Sequence, residues 1–331
     1  MSLNLATDEG RRVAAQLVDE ADVFVTNARP IALERAGLDY ATVAARNPRL
    51  VYAQVNGYGM EGEERDRAAY DVGAFWSRAG VAASLAPEGT DLPYQRGGMG
   101  DHMAGMAAAG GIAAALLARE RSGEGQLVST SLMRIGMYMI GWDISMALRM
   151  GMPTIPMTVK APPNPLINGY TAGDGKRFWM LGLQGDRHWP DVVRAVERPE
   201  WADDERFANI VARAVNAAAL VTELNAIFAT KTMDEWAAIF DRENVWWAPV
   251  QHGHDVVTDP VAHAAGGFVD VPDAGGGDPI KMVATPVDFH GSPGRPRSTP
   301  PEFAQHTEEV LLELGYDWDR IIELKEAGVI P

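Results

Sequence analysis

The sequence predicts an α/β protein whose large domain is an open, mostly parallel, Rossmann-like sheet. Helical and strand-like segments alternate from the start of the chain: helices over 7–20, 31–36 and 39–46, and the apolar strands ADVFVT (21–26) and LVYAQV (50–55). Thr7 is a favoured N-cap residue, and Asp8 and Glu9 lie in the first turn, where the helix dipole favours acids. Alternation of this kind is typical of a parallel sheet with crossover helices.

The length of the chain predicts two domains. Its 331 residues exceed what one hydrophobic core usually supports. Clusters of proline and glycine suggest where the chain crosses between domains. We expect a large α/β domain over 1–150, a linker over 151–167, a smaller α+β domain over 168–290, and a linker and tail over 291–331 that return to the large domain.

The charge and composition exclude several functions. With 45 acidic and 29 basic residues, the net charge is −16, which disfavours nucleic acid and anionic membranes as partners. The absence of cysteine excludes disulfides and thiolate chemistry and fits a reducing cytoplasm. Met1–Arg12 lacks the pattern of a signal peptide. The apolar run Met103–Leu117 is too short to span a bilayer and predicts a buried helix.

Chemistry is expected at loops that follow strands, and at one glycine-rich turn. The segments 27–30 and 56–59 follow the two predicted strands, where open α/β sheets bind ligands. The segment QRGGMGDHMAG (95–105) places Asp101 at the start of a helix. Asp101 could be only an N-cap, or it could be a nucleophilic carboxylate whose intermediates the free amides of the helix stabilise.

The histidines are less informative. His102 could be a general base, although a histidine beside a helix start is more often structural. His252 and His254 could chelate a metal only on a strand, and their Gly/Asp-rich surroundings predict a loop. We therefore predict no metal site.

Several motifs resemble those of the family III CoA-transferases, which include formyl-CoA and carnitine CoA-transferases and the α-methylacyl-CoA racemases. The string from Ala21 to Val51 carries the resemblance, and it continues along nearly the whole chain. The further motifs are Gly57-Tyr58-Gly59, Ala69-Tyr70-Asp71, Gly100-Asp101, Gly123-x-Gly125-Gln126 and His306-Thr307-x-Glu309-Val310-Leu311. The resemblance implies an interlocked dimer that moves CoA from an acyl-CoA to a free carboxylic acid, with CoA as a substrate and no permanently bound cofactor.

The resemblance also implies roles for particular residues. Asp101 matches the family's catalytic aspartate, which passes through mixed anhydrides and an aspartyl-CoA thioester. Tyr70 matches the position of a tyrosine in transferases and of the catalytic histidine in racemases. CoA contacts are implied for Asn27, Ala28, Arg35, Leu3, Leu132 and Gly57. Because tyrosine has a reference pKa of about 10 and is a poor base near neutrality, Tyr70 favours transfer over racemisation.

The sequence also departs from the family pattern. Family members normally have a further strand and loop before the segment that opens this sequence, so the resemblance implies a truncated start, a second polypeptide that supplies this part, or a degraded site. A frequent lysine is Ala68, and the glycine-rich lid of formyl-CoA transferase has no match in GYTAGDGKRFW (169–179). Formate and oxalate are therefore not expected as substrates. Two alternatives remain: an acyl-CoA racemase or epimerase with an altered base, and a non-catalytic CoA-binding subunit of a heteromer.

Overall fold

The computed structural model describes residues 1–87, 89–153, 156–294 and 296–331. The chain forms two compact units. Unit 1 contains 1–156 and 300–331, and unit 2 contains 157–299. The four-part division inferred from the sequence stays a prediction.

Unit 1 is built on a parallel sheet with the strand order β1-β2-β3. Its strands are β1 (Val23–Thr26), β2 (Val51–Asn56) and β3 (Leu127–Ser131). Its helices are α1 (Asp8–Glu20), α2 (Pro30–Ala36), α3 (Tyr40–Arg46), a π-helix (Val72–Arg78), α4 (Val81–Ser84), α5 (Met99–Ser122), α6 (Leu132–Met139), α7 (Gly141–Met150), α14 (Thr307–Glu313) and α15 (Trp318–Glu326). The α/β fold and its parallel sheet, predicted from the sequence, are confirmed.

Unit 2 combines short antiparallel sheets with helices. Its strands are β4 (Ile167–Thr171), β5 (Arg177–Leu181) and β6 (Trp247–Pro249), which form one sheet, and β7 (Phe268–Val271) and β8 (Ile280–Val283), which form a ribbon. Its helices are α8 (Gly185–Ala195), a 3₁₀ turn (Pro199–Ala202), α9 (Ile210–Val215), α10 (Ala217–Phe228), α11 (Met233–Glu243), α12 (Gly253–Thr258) and α13 (Pro260–Ala264). Buried aromatic residues dominate its core, among them Phe178, Phe228, Trp236 and Phe240.

A buried arginine fixes the C-terminal end of α5 to the sheet. The Arg119 guanidinium donates hydrogen bonds to the carbonyl oxygens of Asp22 (3.3 Å), directly before β1, and Arg49 (3.1 Å), two residues before β2. It also pairs with the Asp22 carboxylate at 2.9 Å. Hydrogen bonds with a charged donor are about twice as strong as neutral ones. Arg119 therefore sets where α5 ends relative to the strands.

The C-terminal tail packs against the first residues of the chain. The Asn4 amide donates to the Val329 carbonyl (2.8 Å), and the Ser2 amide donates to the Thr307 hydroxyl (3.0 Å). Val13 of α1 joins an apolar cluster with residues of α14, α15 and the last turn of the chain. The tail thus completes the core of unit 1.

From the sequence alone, we also predict one helix over 68–79 and one over 301–314, and both predictions were wrong in extent. The C-terminal helix begins only at Thr307, because prolines precede it and Ala304 adopts a positive φ of 60°. A second tail helix, α15, follows it and was not predicted. Over 68–79, the first residues are not helical, and Val72–Arg78 form a π-helix.

The apolar run at 103–117 belongs to a longer and more exposed helix than predicted. Helix α5 has 24 residues, and in the described part of the chain it is long and apolar enough to cross a membrane, judged by length and composition alone. Core helices of soluble proteins meet the same criteria, so this property is weak support for a membrane span. Only 17% of its most apolar window is buried within the chain. The prediction of a short, buried helix was therefore wrong for the single chain.

Replacing Arg119 by methionine should destabilise unit 1. The change leaves the Arg49 carbonyl without its buried donor and removes one of the two donors to the Asp22 carbonyl, which also accepts from the Val51 amide (3.0 Å). We expect a loss on the order of 2–4 kcal/mol. Urea-induced unfolding, followed by circular dichroism, measures this loss. The matched control is Arg121→Met, an exposed arginine two residues further along the same helix, where a change within about 0.5 kcal/mol is expected. Equal effects of the two substitutions would contradict the role of Arg119.

Candidate active site

The candidate site of unit 1 begins where its parallel strands end. Pairing of Thr26 with Gln54, and of Asn56 with Ser131, places the carboxyl ends of β1, β2 and β3 at one edge of the sheet. Two hydrogen bonds hold the loops that follow β1 and β2. The Gln54 side-chain amide of β2 donates to the Ala28 carbonyl (3.3 Å), and the Met133 amide at the start of α6 donates to the Gly57 carbonyl (3.0 Å). Asn27, Ala28, Gly57 and Leu132 thus lie along this edge.

A close contact brings a further loop to the same edge. A Cβ atom at Gly57 would lie 2.3 Å from the Cβ of Ala69. Glycine is therefore required at residue 57 for the two segments to approach. Tyr70 follows Ala69 and is 83% exposed, whereas Asp71 is buried. The loop consequently presents the Tyr70 ring outward and directs the Asp71 carboxylate inward.

Asp71 stabilises the start of helix α5. Both of its carboxylate oxygens accept a hydrogen bond from the Gly100 amide, each at 3.1 Å. The cap residue of this helix is Gly98, which has a φ of 78° and no side chain to serve the free amides. A Cβ at Gly100 would lie 2.2 Å from Asp71 Oδ1 and 2.5 Å from Phe75 Cγ. Residue 100 must therefore be glycine if Asp71 is to reach the amide.

Asp101 lies in the first turn of α5 and is exposed. The interpretation of Asp101 as the N-cap was wrong, since Gly98 holds that position. Partial desolvation raises the pKa of Asp101 above its usual value, the nearby Asp71 carboxylate raises it further, and His102 acts in the opposite direction. A carboxylate that neighbours a second carboxylate and a helix start has the charge and the access of a reacting group.

The other predicted site residues have different surroundings. His102 is exposed, and its ring lies against Gly98. Arg35 is exposed in the last turn of α2. Leu132 is buried in the apolar cluster around Phe75. Leu3 packs against the clusters of α1 and of the C-terminal tail, and no described contact joins it to Asp101.

In unit 2, the rings of His252 and His254 stack at a centroid distance of 5.7 Å, with His252 as the cap of α12. The sequence predicts a loop at this segment, and the structure has a short helix there instead. Across the described ranges, no group of three or more His, Cys, Asp or Glu side chains could hold a metal ion.

Asp71 is the residue that sequence reasoning missed. It was noticed only as part of the motif Ala69-Tyr70-Asp71. Its partner, Gly100, lies 29 residues away, so no local pattern indicates their contact. The one sequence signal compatible with the Asp71–Gly100 contact is the glycine itself, directly before Asp101.

An exposed carboxylate in the first turn of a helix can act as a nucleophile, and the free amides of that turn can stabilise a developing oxyanion. The family model described as CoA-transferase family III matches residues 1–307. The chain belongs to this family and is a transferase, which confirms the resemblance found in the sequence.

Named relatives and a solved structure agree with this assignment. The (R)-2-hydroxy-4-methylpentanoate CoA-transferase of Clostridioides difficile is 31% identical over 330 residues, which cover all of this chain and 82% of that protein. The cinnamoyl-CoA:phenyllactate CoA-transferase of Clostridium sporogenes is 32% identical over 98% of this chain and 79% of that protein. The crystal structure of a CAIB/BAIF family protein from Brucella suis has a TM-score of 0.80 at 28% identity, covering 95% of this chain and 81% of that one.

Substituting Asp71 by asparagine should shift the pH dependence of CoA transfer. Asparagine can still accept the Gly100 hydrogen bond but removes the charge that raises the pKa of Asp101. If the ionised form of Asp101 reacts, activity is lost as the pH falls through this pKa. The acid limb of the profile of kcat/KM against pH should therefore move to lower pH in Asp71→Asn. Glu20→Gln, at an exposed acid at the end of α1, serves as control and should leave the limb in place. An unmoved limb in Asp71→Asn would contradict the coupling.

Proposed function

We propose that this protein moves CoA from an acyl-CoA to a free carboxylic acid through an aspartyl-CoA thioester on Asp101. The observation that carries the proposal is the position of Asp101: exposed to reactants, in the first turn of α5, with the neighbouring Gly100 amide already bound by Asp71. The remaining amides of the first turn lack partners within the helix, so they can stabilise a developing oxyanion.

The chemistry proceeds in four acyl transfers. An Asp101 oxygen attacks the thioester carbonyl of the donor, the C–S bond breaks, and a mixed anhydride and CoA thiolate form. The thiolate attacks the Asp101 carbonyl carbon, which releases the donor acid and leaves the aspartyl-CoA thioester. The acceptor carboxylate then attacks this thioester and releases CoA thiolate, giving a second mixed anhydride. Attack of the thiolate on the acceptor's acyl carbon forms the new acyl-CoA and restores the Asp101 carboxylate.

Tyr70 supports transfer rather than racemisation. A racemase requires acid/base groups on both sides of the α-carbon, and a phenol with a reference pKa of about 10 is a poor base near neutrality. The Tyr70 side chain is exposed next to Asp71, where its hydroxyl can donate a hydrogen bond to a substrate oxygen. We therefore propose that Tyr70 orients the reacting carbonyl.

The sheet edge is the proposed binding surface for CoA. Asn27, Ala28 and Gly57 present backbone and small side chains at this edge, and the Arg35 guanidinium can meet a phosphate. Leu3 and Leu132 complete the proposed set, Leu132 through its backbone because its side chain is buried. CoA is a substrate in this proposal, with no permanently bound cofactor and no metal.

The acid partner is proposed to be larger than formate and to carry an apolar body. The two relatives above are named for (R)-2-hydroxy-4-methylpentanoate and phenyllactate, which are 2-hydroxy acids with apolar side chains. The proposal places the reaction in the cytoplasm, consistent with a chain that has no cysteine.

A second copy of the chain is proposed to cover the apolar surface of α5, α6 and α7, as an interlocked homodimer. Large apolar side chains are exposed on all three helices: Met106, Leu117, Met137, Tyr138, Met139, Trp142, Leu148 and Met150. Monomeric soluble proteins rarely leave such surfaces uncovered.

Light scattering tests the proposed dimer and should give twice the chain mass of 35.8 kDa. A single-chain mass at micromolar concentration would contradict the dimer.

Mass spectrometry after incubation with a panel of acyl-CoAs tests the catalytic proposal. An adduct should form on the peptide that contains Asp101, with the productive acyl-CoAs defining the donor class. Asp101→Ala should lose the adduct and reduce CoA transfer by roughly 10³-fold or more. Asp91→Asn, at an exposed acid in the preceding loop, should retain both.

Two results would overturn the catalytic proposal. Wild-type rates in Asp101→Ala would exclude Asp101 as nucleophile. Solvent deuterium exchange at the α-carbon of a 2-methylacyl-CoA, without any CoA transfer, would identify a racemase instead.

A further inference from the structure

Unit 2 contains an open cavity of about 510 Å³. Its walls are the turn between β4 and β5 with the first residue of β5 (174–177) and the segment from the end of β6 into α12 (249–255). Met233, at the start of α11, is buried and contributes apolar surface, as do Pro249 and Val250. The cavity therefore combines an apolar side with a strongly polar one.

The polar side is rich in cationic and imidazole groups, in a chain whose net charge is −16. Lys176, Arg177, His252 and His254 all line it. The Lys176 ammonium already lies near two acids, 3.5 Å from Asp234 and 3.7 Å from Asp174. The positive charge that remains open to a ligand therefore depends on Arg177.

The two carboxylates in the wall are already engaged. Asp255 accepts a hydrogen bond from the His252 amide at 2.8 Å and pairs with His254 Nε2 at 3.1 Å. Asp174 accepts from the Lys176 amide at 3.2 Å and lies 3.7 Å from its ammonium group. Among residues 1–87, 89–153, 156–294 and 296–331, no carboxylate oxygen lies within 4.0 Å of the Arg177 guanidinium. Arg177 is thus the cation of this cavity that no described acid neutralises.

We propose that this cavity binds a small oxyanion, a carboxylate or a phosphate group, through Arg177 with Lys176 beside it. The planar guanidinium presents parallel N–H donors that match both groups, which the point charge of lysine cannot do. The His252 ring accepts from the Asp255 amide through one nitrogen and can donate through the other. The apolar side accepts a hydrocarbon body attached to the anion. The two sources of such an anion in the proposed reaction are the free acid and the phosphates of CoA.

Calorimetric titration of the full-length protein tests the site with defined probes. Hexanoate and inorganic phosphate represent the two sources, and hexan-1-ol is the neutral match for hexanoate. Arg177→Gln should raise the Kd of the bound anion by about 10-fold, the effect of losing a charge-assisted hydrogen bond. Arg177→Lys, which retains the charge without the planar donor pair, should weaken binding less. Arg187→Gln is the matched control, because Arg187 is exposed on α8 and bonds only to Gln184 among the described residues.

The titrations distinguish a carboxylate ligand from a phosphate ligand, and binding in the cavity at Arg177 from binding at Asp101. Dependence on Arg177 for hexanoate identifies a carboxylate site, and dependence for phosphate identifies a phosphate site. The proposal is overturned if Arg177→Gln binds both anions like the wild type, or if hexan-1-ol binds as tightly as hexanoate. Anion binding should persist in Asp101→Ala. Its loss there, without loss in Arg177→Gln, would place the anion at the catalytic carboxylate and contradict the new site, while leaving the proposed reaction untouched.

Discussion

The hydrogen bond from the Gly100 amide to the Asp71 carboxylate is the interaction on which the candidate site depends. It joins the loop before the π-helix to the first turn of α5, and a buried charged acceptor makes such a bond worth about 1.5–3 kcal/mol. It also places a second negative charge beside Asp101, which raises the pKa of that residue. One contact thereby fixes the position of the candidate nucleophile and tunes its ionisation.

Helix α5 is held at both ends, and this explains how a long, poorly buried helix can present Asp101 reproducibly. Asp71 binds its N-terminal turn, and Arg119 ties its last turn to the backbone before β1 and β2. The glycines at 57 and 100 allow the loops to approach within distances that a Cβ would forbid. The exposed apolar surface between the two ends is the part that a partner chain would cover under the dimer proposal.

The sequence predicted the parts of the fold that local patterns determine. The alternating helices and strands of 8–56 and the cap at Thr7 were identified from the sequence. Prediction from the sequence failed where contacts between residues far apart in the chain determine the structure. Asp101 is of a residue type that often caps helices. The free amide at the start of α5 is instead bound by the Asp71 side chain, which lies 29 residues before Gly100. The low burial of α5 is likewise set by how the helix packs in the fold rather than by its apolar composition. Family motifs located Asp101 and Tyr70, whereas Asp71 and the cavity at Arg177 emerged only from the structure.

The central claim is that, in each turnover, the Asp101 carboxylate receives one oxygen from the acceptor acid and gives one to the released donor acid. In the proposed sequence, the bridging oxygen of the second anhydride comes from the acceptor and stays on Asp101 when CoA thiolate attacks the acyl carbon. Transfer to an acceptor labelled with ¹⁸O should therefore increase the mass of the Asp101 peptide by about 2 Da per oxygen exchanged. The peptide from Asp71→Asn should also gain label, since that variant retains the nucleophile. CoA transfer that proceeds with no label in the Asp101 peptide would contradict the account.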